Sequence, residues 1–155
     1  MIQRVQSIWL LLAVITLICL AFLPLLTKDV NDVKYGVYTS GIHTEINTAE
    51  VSQYSVRFAI PTTTINIAAA ILCFTAIFFF KNRRLQKWII VSANFTIILL
   101  AILCFYSARE LPGGFSGTSL TVGTFLPLAA VVFCLLAIRG IRKDEQLLRS
   151  ADRLR

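Results

Sequence analysis

Apolar residues gather into four long runs along the chain, at 7–26, 58–80, 88–107 and 119–138, and the polar residues collect between them. None of the four runs contains Asp, Glu, Lys, Arg or His. About 20 apolar residues wound as a helix cross roughly 30 Å of hydrocarbon, so each run predicts a membrane span. Pro24 falls in the last turn of the first span, where it ends or kinks the helix at little cost. Pro61 suits the first turn of the second. Short connections lead into and out of the third, which predicts an up-and-down arrangement of spans two to four.

Between the first two spans, residues 27–57 form the one sizeable loop. The stretches 33–39 (VKYGVYT) and 50–58 (EVSQYSVRF) are rich in β-branched and aromatic residues and predict strands. The segment between them, SGIHTEINTA, is polar and turn-like. An antiparallel hairpin follows. A lone hairpin is marginal in water, so it must rest on the helix ends or on the loop RELPGGFSGTS, where Phe115 is a candidate plug. The predicted architecture is therefore one domain, residues 1–155. It is an all-α membrane protein: a four-transmembrane-helix bundle with a small extracytoplasmic antiparallel β-hairpin and a cytoplasmic C-terminal helix at 139–155.

Composition agrees. Hydrophobic residues make up 57% of the chain and mean hydropathy is +0.76, where soluble domains hold about 45–50% apolar residues. The first run is too long for a signal-peptide core and lacks an A-x-A site, so it is expected to stay uncleaved. The net charge of +7 is unevenly placed. Arg4, the basic loop Lys81, Arg83, Arg84 and Lys87, and six residues of the tail put eleven cations on one side of the proposed membrane. Lys28, Lys34, Arg57 and Arg109 put four on the other. Lys and Arg accumulate on the cytoplasmic side, so both termini are expected in the cytoplasm, with anionic phospholipids as partners. Trp9 and Trp88 lie near that same interface.

No P-loop, GxSxG or HExxH motif and no paired buried carboxylate is present. This favours a non-enzymatic role without a cofactor. Cys19, Cys73, Cys104 and Cys134 fall one per span with no C-x-x-C, a scatter expected of small apolar filler. His43, the single histidine, has Glu45 and Asp32 nearby, without the spacing of a metal site. Within the spans the polar residues of note are Asn66 and Asn94, each near the middle of its helix, and the threonines Thr62 to Thr64. An Asn66–Asn94 hydrogen bond between spans two and three would tie helices together. Alternatively, Asn66, Asn94, Thr62 and Thr64 would contact a lipid-like or neutral small molecule.

The chain ends RGIRKDEQLLRSADRLR. On a helix, Arg139, Arg142, Lys143, Arg149 and Arg153 share one side with Gln146, while Leu147 and Leu154 share a neighbouring one. Gly140 is a possible hinge. An anchor at the membrane edge needs only Arg139, Arg142 and Lys143. The leucines that follow point to a docking helix, which would bury them against a partner or the loop KNRRLQK while its arginines find acidic groups. The segment has no aromatic residue for stacking on bases, so nucleic acid is not an expected partner.

The opening MIQRVQSIWLLLA and the closing RGIRKDEQLLRSADRLR resemble those of a domain-of-unknown-function family of small four-span inner-membrane proteins from Bacteroidota. The resemblance implies a bacterial cytoplasmic membrane and brings no activity, cofactor or catalytic residue. Together these readings give a non-catalytic accessory or scaffold subunit of a larger membrane complex, partnered by membrane or cytoplasmic proteins. The alternative is binding or transport of a lipid-like or neutral molecule.

Overall fold

The computed structural model describes residues 3–30, 33–48, 51–109, 111, 114 and 117–152. Four helices, α1 (Gln3–Phe22), α2 (Ile60–Phe78), α3 (Arg83–Ala108) and α4 (Leu126–Asp152), are accompanied by five strands. These are β1 (Leu26–Val30), β2 (Val33–Tyr38), β3 (Gly41–Thr48), β4 (Val51–Phe58) and β5 (Ser119–Leu120). With 19% of the chain in strand, the protein is not an all-α four-helix bundle, and the expected hairpin is one part of a five-stranded antiparallel sheet ordered β4-β3-β2-β1-β5.

The physical reasons for that correction are local. The segment taken for a turn is β3. Its inner positions Ile42, Thr44 and Ile46 alternate with His43 and Glu45, and it pairs along its length with both β2 and β4. Pro24 stops α1 at Phe22, and the apolar residues Leu25 and Leu26 enter the sheet instead of extending the helix. The fourth run likewise opens with β5 and a short 3-10 turn at Val122–Phe125 before α4 begins.

One face of the sheet seals the helix ends. Leu26, Val37 and Ile42 are aligned across β1, β2 and β3, and Leu26 and Val37 are buried in the core. Lys28 shares this face. Its stem is buried and its Nζ donates to the Gly114 carbonyl at 2.9 Å. Thr39, buried in the β2–β3 turn, donates from Oγ1 to the carbonyl of Leu20 near the end of α1 (3.4 Å). Thr63 Oγ1 of α2 donates to the Thr39 carbonyl at 3.0 Å, and the Ala59 amide to that of Ser40 at 2.9 Å. The amide of Thr121 and the hydroxyl of Thr124 both donate to the Leu25 carbonyl.

Each helix packs on two others: α1 on α2 and α4, α3 on α2 and α4. Fully buried alanines (Ala13, Ala69, Ala76, Ala93, Ala130 and Ala137) let the backbones approach. The opposite faces remain apolar and exposed, as at Phe74, Phe95, Ile102 and Leu128. Three helical segments, Ile60–Phe78, Arg83–Ala108 and Val122–Leu147, are long and apolar enough to cross a membrane. The apolar part of α1, Gln6–Phe22, is shorter. The fold is compatible with a membrane protein.

Gly123 marks the tightest junction: a Cβ there would lie 2.2 Å from the Pro24 carbonyl oxygen. Gly123→Ala is expected to destabilise the protein by about 1–3 kcal/mol through overpacking, read as a lower Tm in detergent. An unchanged Tm would show that this junction yields freely.

Candidate functional site

Three places combine polar groups with accessible space. The first is the helix end opposite the sheet. Here α4 does not break at Gly140. It runs on as one helix to Asp152, and Gly140 serves as a point of close approach to the Gln6 side chain. Ala130, Cys134, Ala137, Ile141 and Asp144 are all buried, so the inward stripe of the span continues into the tail at alternating spacings of four and three. Asp144 accepts a hydrogen bond from Gln6 Nε2 of α1. Its Oδ1, like the buried Arg83 Nη1, has no partner among the described residues. Glu145 forms an ion pair with Lys87 of α3 at 2.8 Å. Gln86 Nε2 donates to the carbonyl of Ala76 at 3.0 Å, satisfying an acceptor in the last turn of α2.

Among the described residues, the tail therefore packs on its own helices through the acidic residues Asp144 and Glu145. Arg139, Arg142 and Lys143 are exposed, and Leu147 is 48% exposed. In the basic loop, Arg84 is exposed, Arg83 is half-buried and Lys87 is occupied by Glu145. Arg153 and Leu154, together with the side chains of Arg149 and Lys81, lie outside the described residues.

The second place is the middle of the helices. Asn66 and Asn94 are not hydrogen-bonded to each other, since neither Oδ1 has a partner among the described residues. Asn66 Nδ2 donates instead to the backbone carbonyl of Leu17 in α1 at 3.3 Å. Each asparagine borders a different apolar groove. Asn66 lies on one of about 410 Å³ between α1 and α2, with Leu17, Ile18, Ile67 and Phe74. Asn94 lies on one of about 630 Å³ between α3 and α4 that reaches Arg139 and Arg142. The threonines stay with the backbone: Thr62 Oγ1 donates to Ala59 and Thr64 Oγ1 to Ile60 and Pro61. The cysteines are less scattered than their spacing suggests, because Cys73 and Cys134 bring their sulfurs within 3.8 Å between α2 and α4.

The third place is the outer face of the sheet. Asp29, Lys34 and Glu45 are neighbours across β1, β2 and β3, a row of alternating charge that favours the pairing. Beside it, Gly36, Tyr38 and His43 border a recess of about 220 Å³. Tyr38 stacks on His43 with centroids 4.2 Å apart, and Ser40 Oγ lies 2.9 Å from His43 Nε2. Burial lowers the His43 pKa below 6.5, and Glu45 opposes that shift. Among the described residues, no three His, Cys, Asp or Glu side chains converge as a metal site would require. Asp32 lies outside the described residues.

A family model described as Domain of unknown function (DUF4293) matches residues 2–154. The chain belongs to that family. The resemblance read from the two ends of the sequence is thus correct at the level of a family of unknown function. No curated protein matches the chain.

Sequence reasoning missed Gln6, Gln86 and Asp144 as buried polar contacts of this family member. The available signal was the unbroken stripe from Ala130 to Asp144. Gln6→Leu should leave the Asp144 carboxylate buried without its donor and cost about 1–3 kcal/mol. Adding Asp144→Leu should restore much of the loss, measured as a double-mutant cycle on Tm in detergent. Simple additivity would refute the coupling.

At the sheet, NMR titration of His43 should give a midpoint below 6.5, and Glu45→Gln should lower it further by removing the opposing charge. Since the folded-state pKa is the lower one, the small stability due to this group is present above pH about 6.5 and is lost as pH falls through the folded-state midpoint. A midpoint that rises in Glu45→Gln would contradict the assignment.

Proposed function

We propose that this protein is a non-catalytic integral protein of a bacterial cytoplasmic membrane, of the small four-span type found in Bacteroidota, serving as an accessory or scaffold subunit of a larger complex. The observation that carries the proposal is the form of α4. It is one helix from Leu126 to Asp152, braced at its far end by Gln6–Asp144 and Lys87–Glu145, and it presents Arg139, Arg142, Lys143 and half-exposed Leu147 outward. A rigid, pre-ordered helix lowers the entropy cost of docking a partner. An anchor alone would need no such bracing.

In this reading α1 crosses the membrane as well. Its 17-residue apolar segment, Gln6–Phe22, meets the lower limit for a span. An even number of spans puts both termini on one side, and the bias of eleven cations against four makes that side the cytoplasm. Trp88, 68% exposed one residue beyond Lys87, suits an interfacial position there. The partners are membrane or cytoplasmic proteins and anionic lipid, not nucleic acid.

A second reading, binding of lipid-like molecules, is favoured by the two apolar grooves beside Asn66 and Asn94. In that case the ligand lies in surface grooves between helix pairs, with the threonines Thr62 and Thr64 taking no direct part.

The scaffold reading is tested with an N-terminally tagged chain ending at Gln146, which keeps Asp144 and Glu145 but removes the outer turns of the tail. On native gels of gently solubilised membranes, the full chain is expected in a defined larger assembly and the shortened chain is expected outside it. If both migrate alone with lipid and detergent, the scaffold reading fails.

A further inference from the structure

Two arginines stand where α4 faces an apolar groove. Arg139 and Arg142 are exposed, and neither has an ion-pair partner among the described residues. The Lys87–Glu145 contact sets the antiparallel alignment of α3 and α4, so these arginines lie alongside Asn94 and Val91. Asn94 follows Trp88 in α3 by six residues, or about 9 Å of helix rise. If Trp88 marks the interface, Arg139 lies below it, at a depth where a guanidinium needs an anion or must snorkel.

From this point the groove of about 630 Å³ runs between the helices past Ile98 and Leu135. On the other flank of α4, a recess of about 560 Å³ shares Arg139 and Arg142 and adds Lys143 and Gln146. The two guanidinium groups thus stand between an apolar channel and a second cationic surface. That arrangement matches an amphiphile with an anionic head.

We propose that this groove binds one anionic phospholipid, its phosphate between Arg139 and Arg142 and an acyl chain against Ile98 and Leu135. The inference rests on the membrane and lipid-binding readings above, and it names the site and the headgroup. Arginine suits phosphate because its planar fork can donate two parallel hydrogen bonds. A free phosphate would leave the apolar channel unused. An apolar partner helix would bury two unpaired cations. A zwitterionic phospholipid brings its own ammonium, which competes for the phosphate. The α1–α2 groove is a built-in comparison: it is apolar, its lining holds no cation, and it should take acyl chains without headgroup preference.

The test uses the full chain in nanodiscs of equal phosphatidylglycerol and phosphatidylethanolamine, released into mild detergent, with retained lipids counted by native mass spectrometry. Retained phosphatidylglycerol should exceed phosphatidylethanolamine by on the order of tenfold. Arg139→Gln with Arg142→Gln should abolish the preference. Arg84→Gln, at an exposed cation outside the groove lining, should leave it intact. Leu135→Trp, which fills the channel and keeps both charges, should reduce phosphatidylglycerol retention. Equal retention of the two lipids by the wild-type chain overturns the proposal without any variant having to fold. So does a preference that survives the double substitution or is lost equally in Arg84→Gln. Failure of the membrane reading would look different: the wild-type chain would be washed from membranes by alkaline carbonate and would not enter nanodiscs.

Discussion

The hydroxyl of Thr39, donated to the carbonyl of Leu20, sits at the junction on which the rest of this structure depends. Where a helix ends, its last carbonyls have no intrahelical partner, and where the next begins its first amides have none. Here a β-turn meets both needs. Thr39 serves the end of α1, while Thr63 and Ala59, at the start of α2, donate back to the carbonyls of Thr39 and Ser40. Once that turn is seated, the register of β2 and β3 places Val37 and Ile42 over the helix ends, and Leu26 follows from β1. The sheet closes the apolar interior at this end, and its charged row of Asp29, Lys34 and Glu45 lies on the other face.

The opposite end is held by different chemistry. No sheet covers it. The helices are joined by side chains that reach sideways: Gln6 to Asp144, Gln86 to Ala76 and Lys87 to Glu145. Exposed ion pairs contribute little on their own. Asp144 matters more because it is buried, and its position sets how far α4 stays in contact after leaving the apolar region. The division of charge along α4 follows from this. Among the described side chains, Asp144 and Glu145 are used inside the chain, which leaves Arg139, Arg142 and Lys143 directed at whatever lies beside it.

Much of this was legible in the sequence, and the failures have physical causes. The apolar runs announced the helices by their uninterrupted length. The strands β2 and β4 were visible through Tyr35, Val37, Tyr54 and Val56. The central strand β3 was not, because His43, Thr44 and Glu45 look like loop residues until neighbours on both sides supply their backbone partners. β5 has two residues and no pattern to detect. Asn66 was recognised as a polar contact, but its partner is a backbone carbonyl of α1, which no residue type betrays. Asp144 was hidden among the charges of the tail, although the spacing from Ala130 marked it as inward-facing. Cys73 and Cys134 meet because α2 and α4 both face the centre, a relation that spacing along the chain does not contain.

The pairing of Gln6 with Asp144 also sets an order in time. Its partners stand 138 positions apart and belong to α1 and α4. As the chain leaves the ribosome, α1 can settle against α2 early, but the face that carries Gln6 and Trp9 toward α4 has no mate until α4 itself has been made. Contacts so distant in sequence are slow to close. During that interval the glutamine and the apolar stripe beside it must be kept from other partners. Of the four described helices, α4 is made last, and it completes the packing.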